Sequence, residues 1–152
     1  MDNSVLYDSA VETELSKHGV YASVTRGISM RPLFKTNRDM VILKRPTHEL
    51  KKYDVVLYKN SAGRYVLHRI VKIRSDELLI RGDNTYALEH VKSDEILGVL
   101  TEFNRKGKRM SVDNLGYRVY SRVWNFIYPF RYLFVVAIRF AKKVYGKIFK
   151  RK

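Results

Sequence analysis

The sequence has no cysteine, which excludes disulfides, thiolate metal sites and a cysteine nucleophile and leaves the redox compartment open. It has no acidic residue after Asp113. It also lacks a long apolar run in its C-terminal third. The uncharged stretch between Arg131 and Arg139 is Tyr132 to Ile138, only seven residues, where a spanning helix needs about 20 mainly apolar positions. The stretch from Met1 to His18 carries Asp2, Asp8, Glu12 and Glu14 and lacks the basic flank and apolar segment of a secretory signal. There is no internal repeat, low-complexity tract or phosphate-binding glycine loop, and His18, His48 and His90 show no metal-ligand spacing. No cofactor is expected.

With 152 residues, 45% apolar and 30% charged, the chain can bury one modest core. Lys and Arg number 30 against 15 Asp and Glu, and the formal charge of +15 argues for a negatively charged neighbour: nucleic acid, anionic lipid or an acidic partner. The charge is uneven. Residues 114–152 hold ten basic residues and 11 of the 19 aromatics, whereas residues 1–113 hold 20 basic and 15 acidic. This divides the chain into a body, 1–113, and a basic aromatic-rich tail, 114–152.

The body reads as a short helix followed by strands. Val5, Leu6, Ala10, Val11 and Leu15 recur near helical spacing, with Asn3 or Ser4 to cap and Gly19 to stop. Strand patterns follow at Val20 to Val24, Met40 to Leu43, Asp54 to Tyr58, Tyr65 to Ile73, Glu77 to Ile80 and Ile96 to Glu102, separated by turn signals such as Asn60-Ser61-Ala62-Gly63. The body is mainly β.

Three segments carry chemistry. In Arg26 to Pro32, RGISMRP, Ser29 sits just past a strand between Gly27, which tolerates dihedrals a side chain forbids, and Pro32, which fixes a backbone angle. Alone, a serine in such a turn is ordinarily a loop residue. In Tyr65 to Ile73, YVLHRIVKI, alternation puts Val66, His68, Ile70 and Lys72 on one face and Leu67, Arg69 and Val71 on the other. In Arg81 to Asn84, RGDN, a tight turn alone would explain the composition. Taken together, Ser29, His68 and Asp83 supply a hydroxyl, a base whose unperturbed pKa suits the task, and a carboxylate to orient it.

These segments resemble the serine peptidases of the signal peptidase I and LexA-like (S24/S26) superfamily. GISMRPLF is similar to the box around the nucleophile, YDVVLYKN to the following strand with Tyr53 for the usual Gly, YVLHRIVKI to the box of the general base and IRGDN to the Gly-Asp-Asn box. EILGVLTEFNRKGK resembles the closing strand with its basic hairpin. The five stand in the family's order over residues 22–108. Where bacterial-type members use Lys, this chain has His68, the form of archaeal and endoplasmic-reticulum signal peptidases. The resemblance implies a body of coiled antiparallel sheets, and a serine endopeptidase in which Ser29 attacks a precursor or leader peptide lying extended along a strand edge. It makes His68 the general base, with Asp83 preferred over Asp94 as the third member. The backbone N–H of Ser29 is a candidate oxyanion donor, and Gly27 occupies the position where many relatives carry a hydroxyl donor. Lys72, two residues from His68, is a poor substitute base. The assignment requires Ser29 and His68 to meet at a solvent-accessible edge.

The family's N-terminal transmembrane anchor has no counterpart in the 20 or so residues before the first box, so the expected location is cytoplasmic or on the cytoplasmic membrane face. In the tail, Arg118, Arg122, Arg139, Lys143, Lys147 and Lys150 fall in one helical sector and Val119, Val123, Phe126, Phe130, Phe134, Ala141, Val144 and Ile148 in another, with a kink near Pro129. Such a segment can lie in the interface of an anionic membrane, pack on its own domain or a partner, or span. The first is preferred. The competing class is a non-enzymatic basic domain for nucleic acid or anionic membrane, with nucleic acid not favoured. A self-cleaving repressor lacks room, because 28 residues before Ser29 cannot hold a helix-turn-helix and a cleavage linker.

Overall fold

The structure, a computed structural model, describes residues 11–75 and 77–149. The chain begins there with helix α1, Val11–His18, whose Val11 and Leu15 are buried. It stops at Gly19, which takes the left-handed φ of 68° that a side chain disfavours. The proposed helical positions Val5, Leu6 and Ala10 and the capping residues Asn3 and Ser4 lie outside the described residues.

Eight strands follow: β1 (Val20–Val24), β2 (Met40–Lys44), β3 (Val55–Lys59), β4 (Tyr65–Ile73), β5 (Leu78–Arg81), β6 (Glu89–Val91), β7 (Ile96–Arg105) and β8 (Lys108–Ser111). They form one open sheet in the order β1-β2-β7-β3-β4-β5-β6, with β8 pairing off β7, and every pairing is antiparallel. The six strands expected from β-branched runs are present, and β6 and β8 are additional. A mainly antiparallel β body with an N-terminal helix is therefore what the chain builds.

The core lies on both faces of the sheet, because β3 and β4 present apolar side chains alternately to each side. One face buries Val41, Leu43, Leu57, Leu67, Leu100 and Phe103 beneath α1 and the segment holding Met30, Leu33 and Phe34. The other buries Val56, Tyr58, Val66, Ile70, Ile80 and Val99. His68 and Arg69, consecutive on β4, accordingly face opposite sides.

The C-terminal segment is helical, as its pattern requires, but in two pieces: α2 (Leu115–Phe126) and α3 (Tyr128–Phe149). The Asn114 side chain caps α2 by accepting from Gly116 N–H at 2.9 Å. The break falls at Ile127, and Pro129, which donates no backbone hydrogen bond, sits in the first turn of α3, where a proline is tolerated. The change at Asp113 to Asn114 is one of secondary structure. Tyr117 of α2 belongs to the core, its ring 5.5 Å from that of Phe103, and Ser121 is buried. Among the described residues no helix is long and apolar enough to cross a membrane.

Candidate active site

Ser29 is held from below, from behind and from above. At the base of its loop, Thr25 N–H and hydroxyl both donate to Asp39 O (2.9 and 3.1 Å) and Asn37 N–H donates to Thr25 O (2.8 Å). The Asp39 carboxylate is fully buried and accepts from Lys35 N–H (2.7 Å), Lys106 N–H (3.3 Å) and a forked Arg38 guanidinium (2.7 and 2.8 Å). Burial opposes its charge, but Arg38 and the backbone donors outweigh burial and lower its pKa. Met30, Leu33 and Phe34 anchor the loop in the core, Phe34 edge-on to Phe103 at 5.4 Å. Gly27 turns the chain with φ 76°, and its carbonyl accepts the Thr36 hydroxyl. Above, Asn84 N–H donates to Ser29 O at 2.7 Å and the Asn84 side chain to Ile28 O at 3.3 Å.

His68 reaches this loop from β4. The Ser29 hydroxyl and His68 Nε2 lie within hydrogen-bonding reach, at 3.0 Å, across 39 positions of sequence. The other ring nitrogen, Nδ1, lies 3.0 Å from Glu89 Oε1, and the Tyr58 hydroxyl donates to Glu89 Oε2 while standing 3.4 Å from Nδ1. The hydrogen bond from His68 comes first in lowering the Glu89 pKa; it and the Tyr58 hydroxyl outweigh burial. Burial, with Glu89 adding to it, holds the Tyr58 phenol well above its usual value, so tyrosine remains the donor. An ionised Glu89 keeps the proton on Nδ1 and leaves the Nε2 lone pair toward the serine hydroxyl. The resulting chain of groups, hydroxyl to imidazole to carboxylate, is the arrangement in which a serine becomes nucleophilic.

The acid in that chain is Glu89, which corrects the choice of Asp83. Asp83 lies on the Arg69 side of β4, its two oxygens forked onto Arg69 Nε and Nη2, both at 2.8 Å, and Oδ2 also accepts from Tyr120 at 3.0 Å. Arg69, wholly buried, donates further to Tyr53 O (2.9 Å), Tyr117 (3.2 Å) and Ser121 (2.9 Å). Burial works against the Arg69 charge, but Asp83 prevails and raises its pKa. The Asp83 carbonyl accepts from Trp124 Nε1 (2.8 Å) and Arg131 (3.3 and 3.2 Å), whose guanidinium stacks on the Trp124 ring at 3.8 Å. Asp83 is thus a structural anchor that fixes the turn bearing Gly82 and Asn84. Asp94, the alternative, is exposed in a 3-10 turn at Ser93–Glu95, and Lys72 is exposed beyond a register shift in β4.

Glu89 is the sole acid between Asp83 and Asp94, yet β6 is too short for its strand pattern to be read from sequence. Tyr58, equally unflagged, shares the His68 face through the pairing Val56↔His68 two residues away. Ser29 and His68 meet as expected, but the solvent-accessible edge expected of them is absent: Ser29 is 2% and His68 1% exposed, while the Glu89 side chain is 31% exposed. It lies just under the surface, with neighbours Ile28, 47% exposed, and Asn84, also exposed. Among the described residues no group of His, Asp and Glu could hold a metal ion. No protein-family model matches the chain and no curated protein matches it.

Proposed function

We propose that the protein is a serine endopeptidase of the S24/S26 type, cutting a precursor or leader peptide by acyl transfer. The observation that carries this reading is the unbroken series from Ser29 Oγ to His68 Nε2, 3.0 Å, and from Nδ1 to Glu89, 3.0 Å. A serine with no base beside it is a poor nucleophile near neutral pH. His68 takes the Ser29 proton as Oγ bonds to the peptide carbonyl carbon, and Glu89 stabilises the imidazolium. The imidazolium then gives that proton to the leaving amine as the C–N bond breaks, and water attacks the acyl-enzyme by the same route in reverse. The edge strand β1 supports an extended substrate. Among the described residues it ends the sheet and pairs with β2 alone, its Val20 and Val24 are each 39% exposed, and it leads within five residues to Ser29.

A fluorophosphonate probe tests this. It should label the wild-type protein at Ser29 and fail to label Ser29→Ala or His68→Gln, and cells carrying Ser29→Ala should accumulate an uncut precursor that wild-type cells process. Absence of labelling in folded wild type, together with salt-sensitive binding to nucleic acid, would transfer the assignment to the basic binding domain.

A further inference from the structure

Helix α2 is built inside out. Its inward face consists of Tyr117, Tyr120, Ser121 and Trp124, whose polar groups reach Arg69 and Asp83. Its apolar side chains point away from the protein: Leu115 is 74%, Val119 50%, Val123 51% and Phe126 76% exposed. The exposure continues onto α3, where Phe130, Leu133 and Phe134 are 66%, 63% and 68% exposed. A helix that packs only on its own domain does the reverse, and a continuous exposed apolar stripe on this scale marks a surface that meets something else.

The surroundings of the stripe say what. Arg118 and Arg122 run along its edge, and with Lys51 and Lys52 they line a cleft of about 320 Å³ between α2 and the start of β3, where Asp54 and Asp113 also lie. None of these four cations has an ion-pair partner among the described residues. The Asp54 carboxylate accepts from Lys51 N–H at 2.8 Å. From Asn114 onward the sequence offers no acid at all. Lys52 and Arg122 stand over the Tyr53 ring, at 5.0 and 5.9 Å, and keep their charge uncompensated. An apolar, aromatic-rich stripe bordered by cations without ion-pair partners among the described residues is complementary to a surface that is greasy below and anionic above.

We infer that the α2–α3 face docks on the surface of an anionic phospholipid bilayer. Leu115, Val119, Val123, Phe126, Phe130 and Phe134 enter the acyl boundary, and Lys51, Lys52, Arg118 and Arg122 meet headgroup phosphates. The helices lie in the plane of the interface, neither of them being fit to span. Because the opposite face of α2 clasps the Asp83 turn, docking leaves the candidate active site on the water side. The surface stands or falls apart from the peptidase reading, since it uses none of Ser29, His68 or Glu89.

Flotation of the full chain with phosphatidylcholine vesicles, with and without phosphatidylglycerol, tests it. Wild type and Ser29→Ala should both float with the anionic vesicles, remain behind with the neutral ones, and be released by salt. Val123→Ser with Phe126→Ser should weaken binding at least about tenfold, the loss of two inserted side chains, and Arg122→Glu should weaken it about fivefold or more. Both variants alter exposed positions, and an unchanged thermal unfolding midpoint would verify that they fold. Equal flotation on neutral and anionic vesicles, no flotation at all, or a concentration-dependent dimer that Val123→Ser with Phe126→Ser abolishes would overturn the inference, the last assigning the face to a second copy.

Discussion

Gly82 and Ser29 compete for one small volume: a Cβ on Gly82 would lie 2.7 Å from the Ser29 carbonyl oxygen and 3.0 Å from His68 Nε2. The first of these neighbours is backbone, and the second is the ring nitrogen that faces the serine hydroxyl. The close approach explains the Gly of the Gly-Asp-Asn turn at this position more directly than turn propensity does.

Gly82→Ala should therefore push the Ser29 loop and the imidazole apart. Misplacement of a nucleophile or base by about 1 Å costs on the order of a hundredfold in rate, so probe labelling of Ser29 should slow by about that factor while the protein remains folded. Wild-type labelling in a folded Gly82→Ala protein would show that the turn gives way without disturbing the dyad.

Glu89→Gln keeps the shape of the side chain and removes its charge. Loss of the carboxylate that orients the imidazole should slow labelling by about a hundredfold or more. The same variant reports pH linkage. The folded Glu89 pKa is depressed below the ordinary 4.5, so its contribution to stability is fully present above that value and is lost as pH falls through the folded value. Urea unfolding should show wild type more stable than Glu89→Gln at about pH 5 and above, the margin narrowing as pH falls below the ordinary carboxylate range. A margin that persists undiminished in acid would mean that the carboxylate is not held in its charged form by His68.

Asp83 and Glu89 should part company in experiment. Asp83→Ala strands the Arg69 charge in the core, and breaking a buried pair from one side costs about 3–5 kcal/mol, enough to lower the melting temperature of a domain this size by about 6–20 °C. Arg69→Met with Asp83→Leu should recover much of that loss, because neither charge is then left alone. In the double variant, Ser29 labelling per folded molecule should persist at a measurable rate, whereas Glu89→Gln should slow it by about a hundredfold or more while costing less stability than Asp83→Ala. If the double variant folds and is as inert as Ser29→Ala, Asp83 has a chemical role that its hydrogen bonds do not convey.

The sequence made Ser29 and His68 legible because each sits in a local pattern, Gly-x-Ser-Met-x-Pro and an apolar strand broken by His-Arg. Six strands were legible for the same reason, their β-branched runs being bounded by turn residues. Glu89 was not, since its place beside His68 follows from the pairing of β4 with β5, shifted by a bulge between Ile70 and Lys72, and of β5 with β6, in which Ile80 faces Glu89. Such register is a long-range property. β6 and β8, three and four residues long and bearing Glu, His, Lys and Arg, carry too little periodicity to announce a strand. The tail was legible as amphipathic helix but not in its orientation. Pattern alone prefers a membrane interface for the aliphatic side but does not show which side meets the body, and the buried Arg69–Asp83 pair selects the Tyr, Ser and Trp side of α2.

Tyr58→Phe isolates the outermost member of the site. The phenol is buried, donates to Glu89, and remains protonated because burial and the neighbouring carboxylate both raise its pKa. Replacing it removes one hydrogen bond to a charged acceptor without opening a cavity, a loss of about 1.5–3 kcal/mol. Part should appear as lower stability in urea and part as slower labelling of Ser29, since Glu89 is then held on one oxygen only by His68 and can tilt away from Nδ1. The alkaline side of the pH profile should not change between wild type and Tyr58→Phe, because the phenol does not ionise in the working range. An alkaline limb present in wild type and missing from the variant would mean that Tyr58 titrates and that its proton, not its position, serves the site.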